Sequence, residues 1–152
     1  MSNRISTLTL LLSALSLCLL TAGPATAQDK ADHQVAIHLD DNDPKRMNMA
    51  LNNIANLRKY YDSIGETVEI ELVAYGPGLH IFREDTSPVK DRIEAMALGI
   101  DNLTFSACGN THSAMSRASG KDVDLLDEVN IVPSGVVRLV ALQERGYSYI
   151  RP

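Results

Sequence analysis

Apolar and polar positions along this chain follow two rhythms that keep replacing one another. Residues 35–39 (VAIHL) are a short apolar run suited to a buried strand, and Asp40-Asp41-Asn42-Asp43 stops it. Asp43 followed by Pro44 predicts an N-cap with proline at the first helical position. Met47, Ala50, Leu51, Ile54, Leu57, Tyr61 and Ile64 then recur at helical spacing, with Asn48, Asn52, Asn56 and Lys59 on the other face, until Gly65. Residues 67–75 (TVEIELVAY) alternate and then turn apolar, which predicts a second strand, broken by Gly76-Pro77-Gly78. Residues 79–83 read as a short helical turn. Ser87-Pro88 opens another helix, with Val89, Ile93, Met96 and Ala97 inward and Gly99 at its end.

Residues 103–107 predict a third strand, and Cys108-Gly109-Asn110-Thr111 leads from it into a Ser-rich helix ending near Gly120. Residues 129–132 predict a fourth strand. Ser134 caps a helix that runs to Arg145 and is apolar almost all round, so it is expected to be well buried. Gly146 ends it, and residues 147–150 form a last short strand.

Strands alternating with helices predict an α/β fold: a three-layer, doubly wound, mostly parallel five-stranded sheet, flavodoxin-like or Rossmann-like. The carboxyl ends of the strands then share one edge, where ligands and chemistry usually sit. That edge collects residues 40–43, 75–80, 108–112 and 133–134. No internal repeat, low-complexity block or interdomain linker interrupts the pattern.

The first 27 residues follow another logic. Arg4 is the only charge before Asp29, an apolar run spans residues 8–20, and Ala25-Thr26-Ala27 offers a cleavage site before Gln28. We expect residues 1–27 to be a cleavable signal peptide, 28–33 a short polar lead-in, and 34–152 a single domain. The run is short for a membrane span, and Leu17 occupies the place where lipidation at Cys18 needs a small residue. The expected location is the periplasm, with no membrane association after cleavage. Charge agrees with a soluble partner. The whole chain carries 14 Lys+Arg against 19 Asp+Glu, and loss of Arg4 leaves 13 − 19 = −6. With no basic stripe, nucleic acid and anionic membrane surfaces are not expected partners.

Cleavage also removes Cys18, so Cys108 is the one cysteine of the mature chain and no internal disulfide can form. Cys108 lies directly after a strand and before a helix, where free N–H groups favour thiolate, the nucleophilic form. Gly109 would allow close approach of a second molecule, and Thr111 and His112 could donate to the sulfur. The plain alternative is a small buried hydrophobe, and sequence position leaves both open. The acidic loop at residues 40–43, if close, would oppose the thiolate.

His112 stands four residues after Cys108, and His80 lies on another loop of the same edge. A Cys–His pair would activate the thiol; a Cys with two His would bind metal. Neither spacing is a specific signature, and no metal or other cofactor is expected. Asp40, Asp41 and Asp43 fail the calcium-loop pattern, and capping is the expected role of Asp43. Gly76-Pro77-Gly78 follows the second strand and lacks the third glycine of a dinucleotide fingerprint, so it is expected to be a tight turn shaping the pocket beside Cys108.

Three segments carry a resemblance: residues 35–40 running into the Asn-rich helix, Val73-Ala74-Tyr75-Gly76-Pro77-Gly78-Leu79, and Phe105-Ser106-Ala107-Cys108-Gly109-Asn110-Thr111. Through them, residues 34–152 resemble the DsrE/DsrF-like family of small sulfur-handling α/β proteins, and in particular its exported branch. The resemblance implies a flavodoxin-like fold that assembles into homo- or hetero-oligomers, often trimers or hexamers, and a homo-oligomer (trimer or hexamer) is expected here. It also implies a persulfide-carrying cysteine, a role that transfers to Cys108 alone. Relay members with established roles are cytoplasmic, so an exported chain would need other partners: a sulfur donor or acceptor protein, or a small sulfane-sulfur compound. Tyr75, Gly78 and Asn110 match the branch without a chemical role to carry over. Expected around Cys108 are therefore Gly109, Asn110, Thr111, His112, Tyr75, Gly76, Gly78 and His80. Sulfur carriage is the first reading, and whether such a carrier counts as an enzyme stays open. The alternative is a non-catalytic ligand-binding or assembly module with a structural cysteine. A third, weaker reading is a redox or metal-responsive protein.

Overall fold

The computed structural model describes residues 30–152; the expected signal peptide lies outside the described residues. Five strands and four α-helices alternate. They are β1 (His33–Leu39), α1 (Pro44–Ile64), β2 (Val68–Ala74), a 3-10 helix (Gly76–Phe82), α2 (Lys90–Gly99), β3 (Leu103–Cys108), α3 (Gly109–Ser119), β4 (Val129–Val132), α4 (Gly135–Glu144) and β5 (Ser148–Ile150). The strands make one sheet in the order β4-β3-β2-β1-β5, with every pairing parallel. This is the expected α/β architecture. Among the described residues, no helix is long and apolar enough to cross a membrane.

Alternation along the strands divides the sheet into two unequal faces. Val35, Ile37, Leu39, Ile70, Leu72, Phe105 and Ala107 point to one side, where Met47, Leu51 and Ile54 of α1, the 3-10 helix and Ile93 of α2 complete the main core. Ala36 and Val73 point to the other, covered by Leu139 and Leu142 of α4 together with Tyr147. The long helix begins as expected. Asp43 accepts a hydrogen bond from the Lys45 N–H at 2.9 Å, Pro44 follows it, and Gly65 closes the helix at φ 76°.

Three local expectations are corrected. α2 starts at Lys90, with Val89 as its N-cap, while the Ser87 hydroxyl donates to the Ile81 carbonyl at 2.6 Å and accepts the Val89 N–H at 3.4 Å. The helical turn expected at residues 79–83 begins earlier and spans Gly76–Phe82. The burial expected for α4 is confined to Gly135, Leu139 and Leu142, while Val136, Val137 and Val140 are 56%, 63% and 50% exposed. α4 lies alone on its side of the sheet, so its outer face meets solvent.

The path of the chain places one special point on the sheet edge. From β1 to β4 each strand is laid beside its predecessor. The next crossover carries α4 over the opposite face to reach β5. The neighbouring ends of β3 and β4 therefore send their helices to opposite sides, which opens a crevice between them. Cys108 is the last residue of β3.

Candidate functional site

Cys108 is the N-cap of α3, and its side chain points to the α4 face, as Ser106 does two residues earlier. Across the crevice, α4 begins at Gly135. A β-carbon there would stand 3.1 Å from Cys108 Cβ and 3.0 Å from both Cβ and Cδ1 of Tyr75. Such contacts are tighter than ordinary packing, and glycine avoids them where the first turn of α4 comes near. Two helix N-termini thus converge on one sulfur, each bringing free N–H groups and partial positive charge.

A neutral thiol is a weak acceptor, and Cys108 makes no capping hydrogen bond to its helix. A thiolate would gain more. Burial pushes the Cys108 pKa up. The N–H of Gly135, the hydroxyl of Thr111 and the N–H groups of Thr111 and Asn110 outweigh it and leave the thiol below its ordinary value. Thr111 is itself oriented: its oxygen accepts the Gly76 N–H at 2.9 Å, which leaves the hydroxyl proton free for the sulfur. The turn at Gly76 therefore touches the site through Thr111. Gly78 anchors that turn against β1, since a β-carbon on it would lie 2.4 Å from the Leu39 carbonyl oxygen.

The structure places the other expected residues differently. The space left by Gly109 is taken by this chain's own β4: a β-carbon there would lie 3.0 Å from the Val132 carbonyl oxygen. It therefore admits β4 and not a second molecule. His112 donates Nε2–H to the Val123 carbonyl at 2.7 Å and tethers the loop after α3. His80 Nδ1 lies 3.3 Å from the Thr86 hydroxyl, and burial, then Arg83, lowers its pKa. Each histidine thus has another partner. Asn110 is exposed, and it is its backbone N–H that helps hold the Cys108 pKa down. Nor does the acidic loop stand as free charge: Asp40 is bound bidentately by Arg151, Asp41 pairs with Arg46, and Asp43 caps α1. Among the described residues, no three His, Cys, Asp or Glu side chains converge to hold a metal ion.

Sequence reasoning missed a row of side chains beside Tyr75. The Tyr75 ring stacks on His38, with centroids 4.6 Å apart and planes at 21°. His38 Nδ1 meets the Tyr149 hydroxyl at 2.6 Å, and Nε2 lies 3.8 Å from Asp40 Oδ2 with no hydrogen-bond partner. Burial lowers the His38 pKa, with Arg151 adding to this and Asp40 opposing it. It raises that of Tyr75, helped by Asp40 and Tyr149. Cys108, Tyr75, His38 and Tyr149 so form a line along the carboxyl edge, from β3 to β5. The signal for His38 was its place in β1: it falls on the α4 side, between positions that point into the main core.

Comparison with known proteins supports the same architecture. No curated protein matches the chain. A protein of unknown function from Methanobacterium thermoautotrophicum, MTH1491, has a similar solved structure with a TM-score of 0.68. It is 37% identical and aligns with 80% of this chain and the whole of its own. The profile of the DsrE/DsrF-like family matches residues 33–152, and the chain belongs to that family.

Proposed function

We propose that the protein is a sulfur carrier that holds a persulfide on Cys108. One observation carries this reading: two helix N-termini and the Thr111 hydroxyl converge on a thiol whose pKa they lower despite its burial. Such an arrangement favours an anion on sulfur, which both thiolate and persulfide are. The Cys108 thiolate attacks a terminal sulfur of a polysulfide. A new S–S bond forms, the old one breaks, and a polysulfide one sulfur shorter leaves with the electron pair. Attack by an acceptor thiolate on the outer sulfur then forms the acceptor's persulfide and returns Cys108 as thiolate. No net oxidant or reductant is needed.

The reading includes export to the periplasm, supported by the pattern of residues 1–27. It also includes a trimer or hexamer, supported by the solvent-facing Val136, Val137 and Val140 of α4. β-branched residues add little to an exposed helix and suit a surface that is covered.

The alternative, a binding or assembly module with a packed cysteine, is favoured by one fact: Cys108 is only 5% exposed. Intact mass after incubation of residues 28–152 with polysulfide separates the two. Gain of one sulfur, removable by reductant and absent in Cys108→Ser, is the expected result. No adduct, together with alkylation of the thiol only after denaturation, would overturn the carrier reading.

A further inference from the structure

Glu71 sits in the middle of β2 and is 3% exposed, an unusual place for a carboxylate. It accepts three hydrogen bonds. Arg138 Nε donates to Oε1 and Nη2 to Oε2, both at 2.7 Å, and the Ser106 hydroxyl donates to Oε1 at 2.6 Å. Each donor is close along the chain to a residue at the sulfur, Ser106 to Cys108 itself and Arg138 to Gly135. Ser106 precedes Cys108 by two residues on the same face of β3. Arg138 lies in the first turn of α4, three residues after Gly135, and its own N–H bonds to the Ser134 carbonyl at 2.9 Å. Tyr147 and Glu69 also border Arg138.

An ion pair whose carboxylate is buried, with the Arg138 side chain 32% exposed, is a poor means of holding a helix on a sheet, because apolar side chains of similar volume do that as well or better. A two-pronged guanidinium–carboxylate pair does something apolar contacts cannot. It fixes direction as well as distance, and so opposes both rotation of the helix and sliding along the sheet. Fixed direction matters here, since a β-carbon at Gly135 would already crowd Cys108 and Tyr75. A small shift of the first turn would take the Gly135 N–H off the sulfur.

We propose that Glu71 and Arg138 are positioning residues for Cys108: their fork, tied through Ser106 to the strand that bears the cysteine, holds α4 where the Gly135 N–H meets the sulfur. The proposal rests on the reading of Cys108 as a working thiolate, but not on sulfur being its cargo.

The test is the pH profile of Cys108 alkylation by iodoacetamide, read with the urea midpoint and far-ultraviolet circular dichroism of each variant. Arg138→Lys keeps the charge and loses the fork; Glu71→Gln with Arg138→Gln replaces the ion pair by a neutral one. Leu142→Ala is the control, buried one turn beyond Arg138 on the same helix and making none of the fork's hydrogen bonds. Both fork variants should fold and raise the Cys108 pKa by about one unit, the scale of one lost hydrogen bond to a charged group. Ser106→Ala should raise it less. Leu142→Ala should lower the urea midpoint and leave the pKa in place. An unchanged pKa in folded fork variants would overturn the proposal, and so would an equal rise in Leu142→Ala. Failure of both fork variants to fold would also overturn it, since the pair would then serve the fold. No sulfur is loaded in this assay, so a protein that takes up none still reports on the fork.

Discussion

Gly135 and Cys108 come from different helix–strand junctions, yet a β-carbon on the glycine would lie 3.1 Å from that of the cysteine. Gly135→Ala should therefore push the first turn of α4 outward. Overpacking of this kind costs about 1–3 kcal/mol, read as a lower urea midpoint. The Cys108 pKa should rise with it, because the departing N–H is one of the groups that hold it down. An alanine variant with unchanged alkylation kinetics would mean that α4 does not act on the sulfur.

Thr111 gives the same site a side-chain handle. Thr111→Val keeps the shape, removes the hydroxyl from the sulfur and strands the Gly76 N–H. The thiol pKa should rise by about one unit, while Thr111→Ser should stay near the wild-type value. Iodoacetamide kinetics against pH would check both, and equal profiles for valine and serine would contradict the role given to the hydroxyl.

His38 should make stability depend on pH. Its folded pKa lies below the ordinary 6.5, chiefly through burial. The unfolded chain thus binds the proton first, and stability rises with pH across that interval. The contribution is complete above about 6.5 and is lost as pH falls from there through the folded value. His80 acts with the same sign, so His38→Asn and His80→Asn should each flatten part of the slope. Urea midpoints between pH 7.5 and 5.5 (a range of about one decade either side of the free histidine value) would show it. A slope unaltered by His38→Asn would remove His38 from the account.

The outer face of α4 makes a prediction about assembly. Val137 is 63% exposed and lies beside Val136 and Val140. If these valines are covered by other copies, Val137→Glu should lower the molar mass measured by light scattering while leaving the circular dichroism spectrum in place. A wild-type protein that is monomeric at micromolar concentration would exclude this interface.

Much of the fold was legible because its signals are local. The spacing from Met47 to Ile64, the Asp43-Pro44 start and Gly65 describe α1 without reference to the rest of the chain, and the structure shows that helix. Cys108 was legible for the same reason, as a cysteine between a strand and a helix. α4 shows the limit. Its valines look the same in the sequence whether they face a sheet, a partner or water, and the structure turns three of them outward. His80 and His112 were grouped with Cys108 by their place on the carboxyl edge, but each is bound elsewhere.

By itself, the sequence determined the order of strands and helices, the parallel α/β class and the position of the cysteine at a strand end. These depend on periodicity, capping and turn residues within a few positions of one another. Only the tertiary structure decided that β4 lies beside β3, and that the next helix crosses to the other face. It likewise brought His38 to Tyr149 across 111 residues of chain, and Arg138 to Glu71 across 67. Those contacts depend on which strands become neighbours, and no local pattern of apolar and polar residues encodes that choice. The environment of Cys108 belongs to this second class: one of its helix N-termini follows it directly in the chain, while the other reaches it only because the sheet is ordered as it is.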